Sequence, residues 1–96
     1  MSPNNKKKLI KLRKSLDKLD NSFIDLIKKR TALVKQVLSL KESKNQIVDK
    51  KRIKFILNQI RQKSIKNKID PKITNRIWKN MILSYIDYER RNFKKK

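Results

Sequence analysis

The stretch from Leu9 to Lys41 constrains the fold more than any other part of this chain, because it predicts one long amphipathic helix. Apolar residues recur along it at intervals of three and four, and neither Pro nor Gly interrupts them. This apolar seam consists of Leu9, Leu12, Leu16, Leu19, Phe23, Leu26, Leu33, Val37 and Leu40.

Such a helix is too long for a small globular monomer. At about 1.5 Å per residue it extends over about 50 Å, whereas a compact globule of this chain length has a radius of gyration of only about 12–13 Å. We therefore expect a second copy of the chain to cover the seam in a homodimer. The alternative is a helix that breaks near Asn21 and Ser22 and folds into a small monomeric bundle.

A charged residue, Arg30, stands where the seam calls for an apolar side chain. A guanidinium costs stability there unless it is paired, so Arg30 either fixes the helix register or binds a ligand. Lys41 follows eleven residues later and returns to roughly the same side of the helix after about three turns. Arg13 precedes Arg30 by seventeen residues, about 25 Å along the axis, which is too far for one small ligand to span.

Two shorter helices are predicted to follow. Asp49 is expected to cap the second helix after a polar linker at residues 43–48, and Asp70–Pro71 marks the start of the third. The third helix has an apolar stripe that also contains one carboxylic acid, Glu89. No stretch alternates with a period of two, so we predict an all-α chain of three helices with a very long first helix.

The chain of 96 residues has 29 Lys and Arg against 8 Asp and Glu, a formal net charge of +21. Such a charge is typical of proteins that bind nucleic acid, anionic membranes or anionic ligands. Lys, Ile and Asn share A/T-rich codons, so genome composition is an equal explanation. A basic helical nucleic-acid-binding protein is one alternative function. Nucleic acid is nevertheless not the expected partner, because no helix-turn-helix motif is evident and the lysines are spread along the chain.

The residue types that are absent narrow the chemistry. The chain has no His, Cys or Gly, which removes the commonest general base, thiol chemistry and a glycine-rich phosphate loop. No cluster has metal-ligand spacing, so neither metal nor cofactor is expected. Cations near apolar helix faces and one carboxylic acid remain. This set suits a reaction that needs only positioning and electrostatic stabilisation, such as a pericyclic rearrangement of a dicarboxylate.

The ends of the chain predict a cytoplasmic protein. Residues 1–8 form a polar arm without the apolar core of a signal peptide, and residues 94–96 form a basic tail. No run approaches the roughly 20 apolar residues of a membrane-spanning helix, so no membrane association is expected.

Residues 12–20 read Leu-Arg-x-x-Leu-Asp-x-Leu-Asp and resemble the opening of the all-helical class of chorismate mutases, where the segment is typically Leu-Arg-x-x-Ile-Asp-x-Ile-Asp. Residues 26–37 continue the resemblance as Leu-Ile-x-x-Arg-x-x-Leu-Val-x-x-Val, and Lys41 falls where that family has its lysine. Asp49-x-x-Arg52 matches the start of the second helix. Ile69-Asp70-Pro71, followed by Ile77-Trp78, matches the third. The resemblance extends over residues 9–93, a chorismate mutase-like helical domain.

The resemblance implies an intertwined homodimeric helical bundle that converts chorismate to prephenate at two equivalent sites. Arg30 and Arg13 would hold the substrate carboxylates, Arg13 from the partner subunit. Lys41 would contact a carboxylate and the ether oxygen of the breaking bond. The catalytic residues implied are Arg30, Lys41 and Glu89, and the substrate-binding residues are Arg13, Asp49, Arg52 and Tyr85.

Glu89 falls where the family carries Gln or Glu to hydrogen-bond the same ether oxygen. A carboxylate cannot donate a hydrogen bond. We therefore predict that Glu89 acts in its protonated form and that activity falls as the pH rises.

Two positions depart from the family pattern. Ile53 stands where a Glu usually holds the substrate hydroxyl, and Tyr85 stands where Ser is common. Both features resemble the related isochorismate-pyruvate lyases, which share the fold and release salicylate and pyruvate. Asp49 is more typical of the mutases, so the lyase remains the alternative to the mutase.

Overall fold

The protein, described from a computed structural model over residues 1–95, consists of three α-helices. These are α1 at Pro3–Leu40, α2 at Lys50–Lys66 and α3 at Pro71–Asn92, with a short 3-10 helix at Lys44–Gln46 before α2. No strand occurs among the described residues. The predicted all-α class and very long first helix are therefore confirmed. The chain divides into two compact units, Met1–Val34 and Lys35–Lys96, and each is described by itself.

Helix α1 begins earlier than the seam predicts. Ser2 precedes Pro3, and its Oγ accepts a hydrogen bond of 3.2 Å from the backbone N of Asn5, as an N-cap residue does. Most of the polar arm at residues 1–8 is therefore helical. The helix continues through Asn21 and Ser22, so the predicted alternative of a break there is wrong.

The seam of the first unit faces outward in the single chain. Six of its seven members are more than half exposed and Leu9 is half-buried, although an apolar stripe of this kind gains stability only when something covers it. The six exposed members are Leu12, Leu16, Leu19, Phe23, Leu26 and Leu33.

Both N-caps that the sequence predicts are present. The Oδ1 atom of Asp49 accepts a hydrogen bond of 3.0 Å from Arg52 N at the start of α2. The Oδ1 atom of Asp70 accepts one of 2.9 Å from Lys72 N at the start of α3, where Pro71 takes the first helical position. These side chains satisfy amide groups that the first turn of a helix leaves unpaired.

Helix α2 ends without a glycine. Lys68 adopts φ 56 in the connection to α3, a left-handed conformation that costs a residue with a Cβ more than it costs Gly. The side-chain amide of Asn67 donates to Lys63 O at 2.7 Å, and Ile69 N donates to Ser64 O at 2.9 Å. These bonds satisfy carbonyl groups at the end of the helix and hold the tight turn into α3.

Helices α2 and α3 pack together in the second unit. Ser64 is buried and its Oγ lies 2.6 Å from Thr74 Oγ1. The end of α2 therefore meets the start of α3, and the two helices run in opposite directions. Half-buried apolar side chains recur at helical spacing on both helices, including Ile53, Ile56, Leu57, Ile60, Trp78, Met81, Ile82 and Ile86.

The segment predicted as a polar linker, residues 43–48, has a defined structure. Gln46 Oε1 accepts hydrogen bonds from Glu42 N at 2.6 Å and Ser43 N at 3.3 Å, which fold the segment back on itself. Ile47 follows and is 4% exposed, the most buried apolar residue in the described chain. An apolar anchor and a side-chain cap thus fix the segment that joins α1 to α2.

No helix in residues 1–95 is long and apolar enough to cross a membrane. Of the predicted basic tail at residues 94–96, Lys94 and Lys95 follow α3 as non-helical, exposed residues, and Lys96 lies outside the described residues.

Candidate active site

Lys41 and Glu89 form the most buried ion pair that the structure describes. Lys41 follows directly after the last residue of α1, and Glu89 lies in the last turn of α3. Lys41 Nζ donates to Glu89 Oε1 at 2.9 Å, and the two side chains are only 17% and 8% exposed. Two charges so far out of water are stable only when paired closely. The structure therefore brings together two of the three predicted catalytic residues, which are 48 positions apart in the sequence.

Asp49 and Arg52 stand together at the start of α2. The carboxylate of Asp49 is occupied by the backbone amide of Arg52 rather than by its guanidinium. The guanidinium of Arg52 instead lies over the ring of Phe55, with its Cζ 5.3 Å from the ring centroid. This is cation–π distance, and the stacking limits the orientations that the Arg52 side chain adopts. The sequence analysis did not identify Phe55. An aromatic residue three positions after an Arg on a predicted helix is the signal that could have indicated this contact.

An open cavity of about 590 Å³ adjoins the linker and the start of α2. Its volume lies within the range of about 300–1,000 Å³ typical of ligand pockets. Among its lining residues are three ammonium groups and one carboxylate, so the lining carries a net positive charge that suits an anionic ligand. The cavity is lined by Lys41, Asn45, Gln46, Val48, Asp49, Lys50 and Lys51.

Of the predicted residues, Lys41 and Asp49 line this cavity. Sequence reasoning did not single out Asn45, Gln46, Lys50 and Lys51. The only signal for Lys50 and Lys51 is their place between Asp49 and Arg52. The amide of Gln46 is fixed by the two hydrogen bonds that close the linker. The same contacts that shape the linker therefore shape the cavity wall.

Tyr85 lies on α3 one helical turn before Glu89 and is half-buried. Residues four apart on a helix share a face, so Tyr85 belongs to the stripe that carries Glu89. Its predicted place in the substrate pocket stays a prediction.

Arg13 and Arg30 lie on α1 in the first unit. Arg13 is exposed and Arg30 is half-buried. They are seventeen positions apart on one continuous helix, so their Cα atoms are separated by about 25 Å along the axis. One small ligand therefore cannot contact both side chains in the same subunit. Their relation to Lys41 and Glu89 stays a prediction.

The acidic side chains of the described residues do not form a cluster. Among residues 1–95 no group of three or more His, Cys, Asp or Glu side chains lies close enough to hold a metal ion. The ionisable groups near the cavity are instead cations with single carboxylates, which can bind and polarise an anion.

Comparison with known proteins identifies the family of the chain. Residues 12–90 match the family model described as chorismate mutase type II. A curated protein of Methanocaldococcus jannaschii, named chorismate mutase, is 33% identical over 76 residues, which cover 78% of this chain and 77% of that protein. A search of solved structures finds no match. The family model matches most of the chain, which therefore belongs to the chorismate mutase type II family.

Proposed function

We propose that this protein rearranges chorismate to prephenate at a site centred on Lys41 and Glu89. Membership of the chorismate mutase type II family supports the reaction. The observation that carries the site is the Lys41–Glu89 pair, with 2.9 Å between Nζ and Oε1 at the end of α3. Both residues belong to the set that the resemblance implies, and they come from distant parts of the sequence.

The reaction fits the side chains that the chain has. A pericyclic rearrangement breaks a C–O bond and forms a C–C bond in one step, without a nucleophile or a proton relay from the protein. The protein contributes by holding the substrate in the reactive geometry and by stabilising the negative charge that develops on the ether oxygen. A chain without His or Cys can supply both with ammonium and guanidinium groups.

Lys41 is the group that stabilises this charge. Its Nζ lies beside the Glu89 carboxyl at 2.9 Å and its side chain is largely withdrawn from water. Charge interactions strengthen in such surroundings. An ether oxygen that contacts Lys41 Nζ also comes within reach of Glu89, so both groups can donate to it when Glu89 carries a proton. Asp49 lines the same cavity as Lys41. Asp49 and Arg52 both lie on the side of the substrate ring.

The site is completed by a second subunit in this proposal. The seam of α1 is exposed over six large apolar side chains between Leu12 and Leu33, and a second copy of α1 is the complementary surface for a self-matching stripe. Arg13 and Arg30 are about 25 Å apart on one helix. An antiparallel partner helix would bring its own Arg13 near Arg30. Each substrate would then be held by Arg30 of one subunit and Arg13 of the other.

The proposal is tested by following chorismate consumption with purified protein, separating the products, and running Arg30→Ala alongside. Prephenate formation by the wild type, lost in Arg30→Ala, is the expected result. Isochorismate is assayed in parallel, because Ile53 and Tyr85 also suit the related lyases. Salicylate and pyruvate from isochorismate, with no prephenate from chorismate, would overturn the mutase assignment.

A further inference from the structure

A groove lies between α2 and α3, separate from the open cavity beside the linker and distant from the candidate active site. Asn75 in this groove and Glu89 are fourteen residues apart on α3, about 21 Å along its axis. The groove has a volume of about 330 Å³. It is lined by Leu57, Asn58 and Arg61 of α2 and by Pro71, Lys72 and Asn75 of α3. No role in the proposed mutase reaction falls on any of these residues.

The groove is positively charged. Arg61 and Lys72 face it from opposite helices, and neither belongs to any of the ion pairs within residues 1–95, which join Lys29 to Asp25, Lys41 to Glu89 and Arg91 to Asp87. The nearest acid in the sequence is Asp70, whose Oδ1 accepts from the backbone N of Lys72 as the cap of α3. The two cationic side chains therefore have one acid nearby, and its carboxylate already accepts a hydrogen bond from a backbone amide.

The two rims continue with further cations. Lys54 precedes Arg61 by seven residues on α2, and Lys79 follows Lys72 by seven residues on α3. Residues seven apart lie on the same face of a helix, about 10 Å along the axis. Since α2 and α3 run in opposite directions, Lys54 and Lys79 both lie past the residues that line the groove, on the side away from the connection between the helices. Two rows of cations thus flank it, with the amides of Asn58 and Asn75 between them.

We propose that this groove binds a single strand of nucleic acid, with backbone phosphates between the two rows of cations. Arg61 can grip a phosphate with two parallel hydrogen bonds, and the two amides can bond to base edges. A small anion would use only the Arg61–Lys72 end. A duplex is wider than the spacing of about 8–10 Å between packed helix axes and does not enter. The net charge of +21 attracts a polyanion from long range.

The spread of the lysines along the sequence predicted no such surface. Arg61 and Lys72 become neighbours only because the short connection after α2 turns α3 back alongside it. The groove therefore assigns a specific function to part of the high positive charge. A positive charge that reflects genome composition alone has no such function.

The proposal is tested by measuring the fluorescence anisotropy of a labelled single-stranded oligonucleotide. Its length of about 20 nucleotides exceeds the roughly 4–16 nucleotides that one binding domain covers. The wild-type protein is compared with Arg61→Gln/Lys72→Gln and with a control of equal charge loss on α1, Lys7→Gln/Lys8→Gln. We expect the groove variant to bind about tenfold more weakly at about 0.1 M salt, where the Debye length is about 10 Å. The plot of log K against log salt should become less steep by about 1.4. Each of the two lost phosphate contacts on a single strand contributes about 0.7 to this slope. The control should change affinity by less than about twofold, because neither Lys7 nor Lys8 lines the groove.

Equal losses in the two double variants would overturn the proposal, because they would show binding by net charge alone. Displacement of the oligonucleotide by millimolar inorganic phosphate, or duplex binding as tight as single-strand binding, would overturn it too. Chorismate turnover measured on the same samples reports folding and should match the wild type in both variants. The pair Lys54→Gln/Lys79→Gln repeats the test without changing the start of α3, and a weaker affinity there is also expected.

Discussion

Lys41 and Glu89 join the end of α1 to the last turn of α3 through a bond of 2.9 Å between an ammonium and a carboxyl oxygen. Glu89 is 6% exposed and lies on the otherwise apolar stripe of α3. The pair therefore holds together parts of the second unit that are distant in sequence. It also places two groups able to act on one ligand oxygen at the same point.

The pair should affect stability in a characteristic way. Lys41→Met leaves the buried Glu89 carboxylate without a partner, and removing one member of a buried pair typically costs about 3–5 kcal/mol. The double variant Lys41→Met/Glu89→Leu replaces both charges by apolar groups and should recover most of that loss. Urea unfolding at fixed protein concentration measures the free energies of unfolding of the wild type, of Lys41→Met and of the double variant. A double variant that is no more stable than Lys41→Met would contradict a direct pair.

Glu89 should make turnover depend on pH. If the protonated carboxyl donates to the ether oxygen, activity falls as the pH rises, because a carboxylate has no proton to donate. Glu89→Gln has a permanent N–H donor, so its rate should stay nearly constant from pH 5 to 8. Asp87→Asn, an exposed acid on the same helix that pairs with Arg91, is the control. A wild-type rate that is flat over this range would count against a protonated Glu89.

The shared site predicts complementation between two inactive variants. Arg13→Ala and Arg30→Ala should each be inactive alone. In a mixed dimer one site lacks both arginines and the other has both. With random exchange, half of the dimers are mixed and half of their sites are intact, so mixing should restore about a quarter of wild-type activity. Refolding the two variants together and assaying prephenate measures this fraction. No recovery, or a monomer by light scattering, would exclude an Arg13 contributed across the interface.

Phe55 should act as a positioning residue for Arg52. The ring keeps the guanidinium stacked at 5.3 Å, and such contacts at exposed sites contribute about 0.5–1 kcal/mol. Phe55→Leu should raise KM for chorismate about threefold with little change in kcat, and Phe55→Tyr should restore the wild-type KM. Ile65→Leu, at another exposed apolar position on α2, is the control. An unchanged KM in Phe55→Leu would leave the ring a structural role only.

Local chemistry determined which parts of the fold could be predicted. Asp49, and Asp70 with Pro71, mark helix starts in the sequence because cap and first-turn preferences are set by neighbouring residues alone. The uninterrupted seam likewise predicted α1. The structure of the linker could not be predicted, because it depends on the side chain of Gln46 folding back and on the burial of Ile47. The positive φ of Lys68 could not be predicted either, since no glycine marks the turn.

The site was predicted as separate residues rather than as a constellation. The sequence shows Glu89 as a lone acid on an apolar stripe and Lys41 as a cation at a helix end. It carries no signal that the two side chains meet across 48 residues. The stacking of Arg52 on Phe55 and the wall formed by Asn45, Gln46, Lys50 and Lys51 likewise depend on the tertiary fold.

The most direct test of the account is the kcat for chorismate of Lys41→Met beside Lys44→Met, the same substitution at an exposed lysine three residues away. Folding of both variants is checked by circular dichroism. Removing a group that stabilises the developing charge should lower kcat by about 10²–10³-fold in Lys41→Met, while Lys44→Met stays within about twofold of the wild type. A Lys41→Met enzyme that keeps the wild-type kcat would show that the Lys41–Glu89 pair is structural and that the reaction takes place elsewhere.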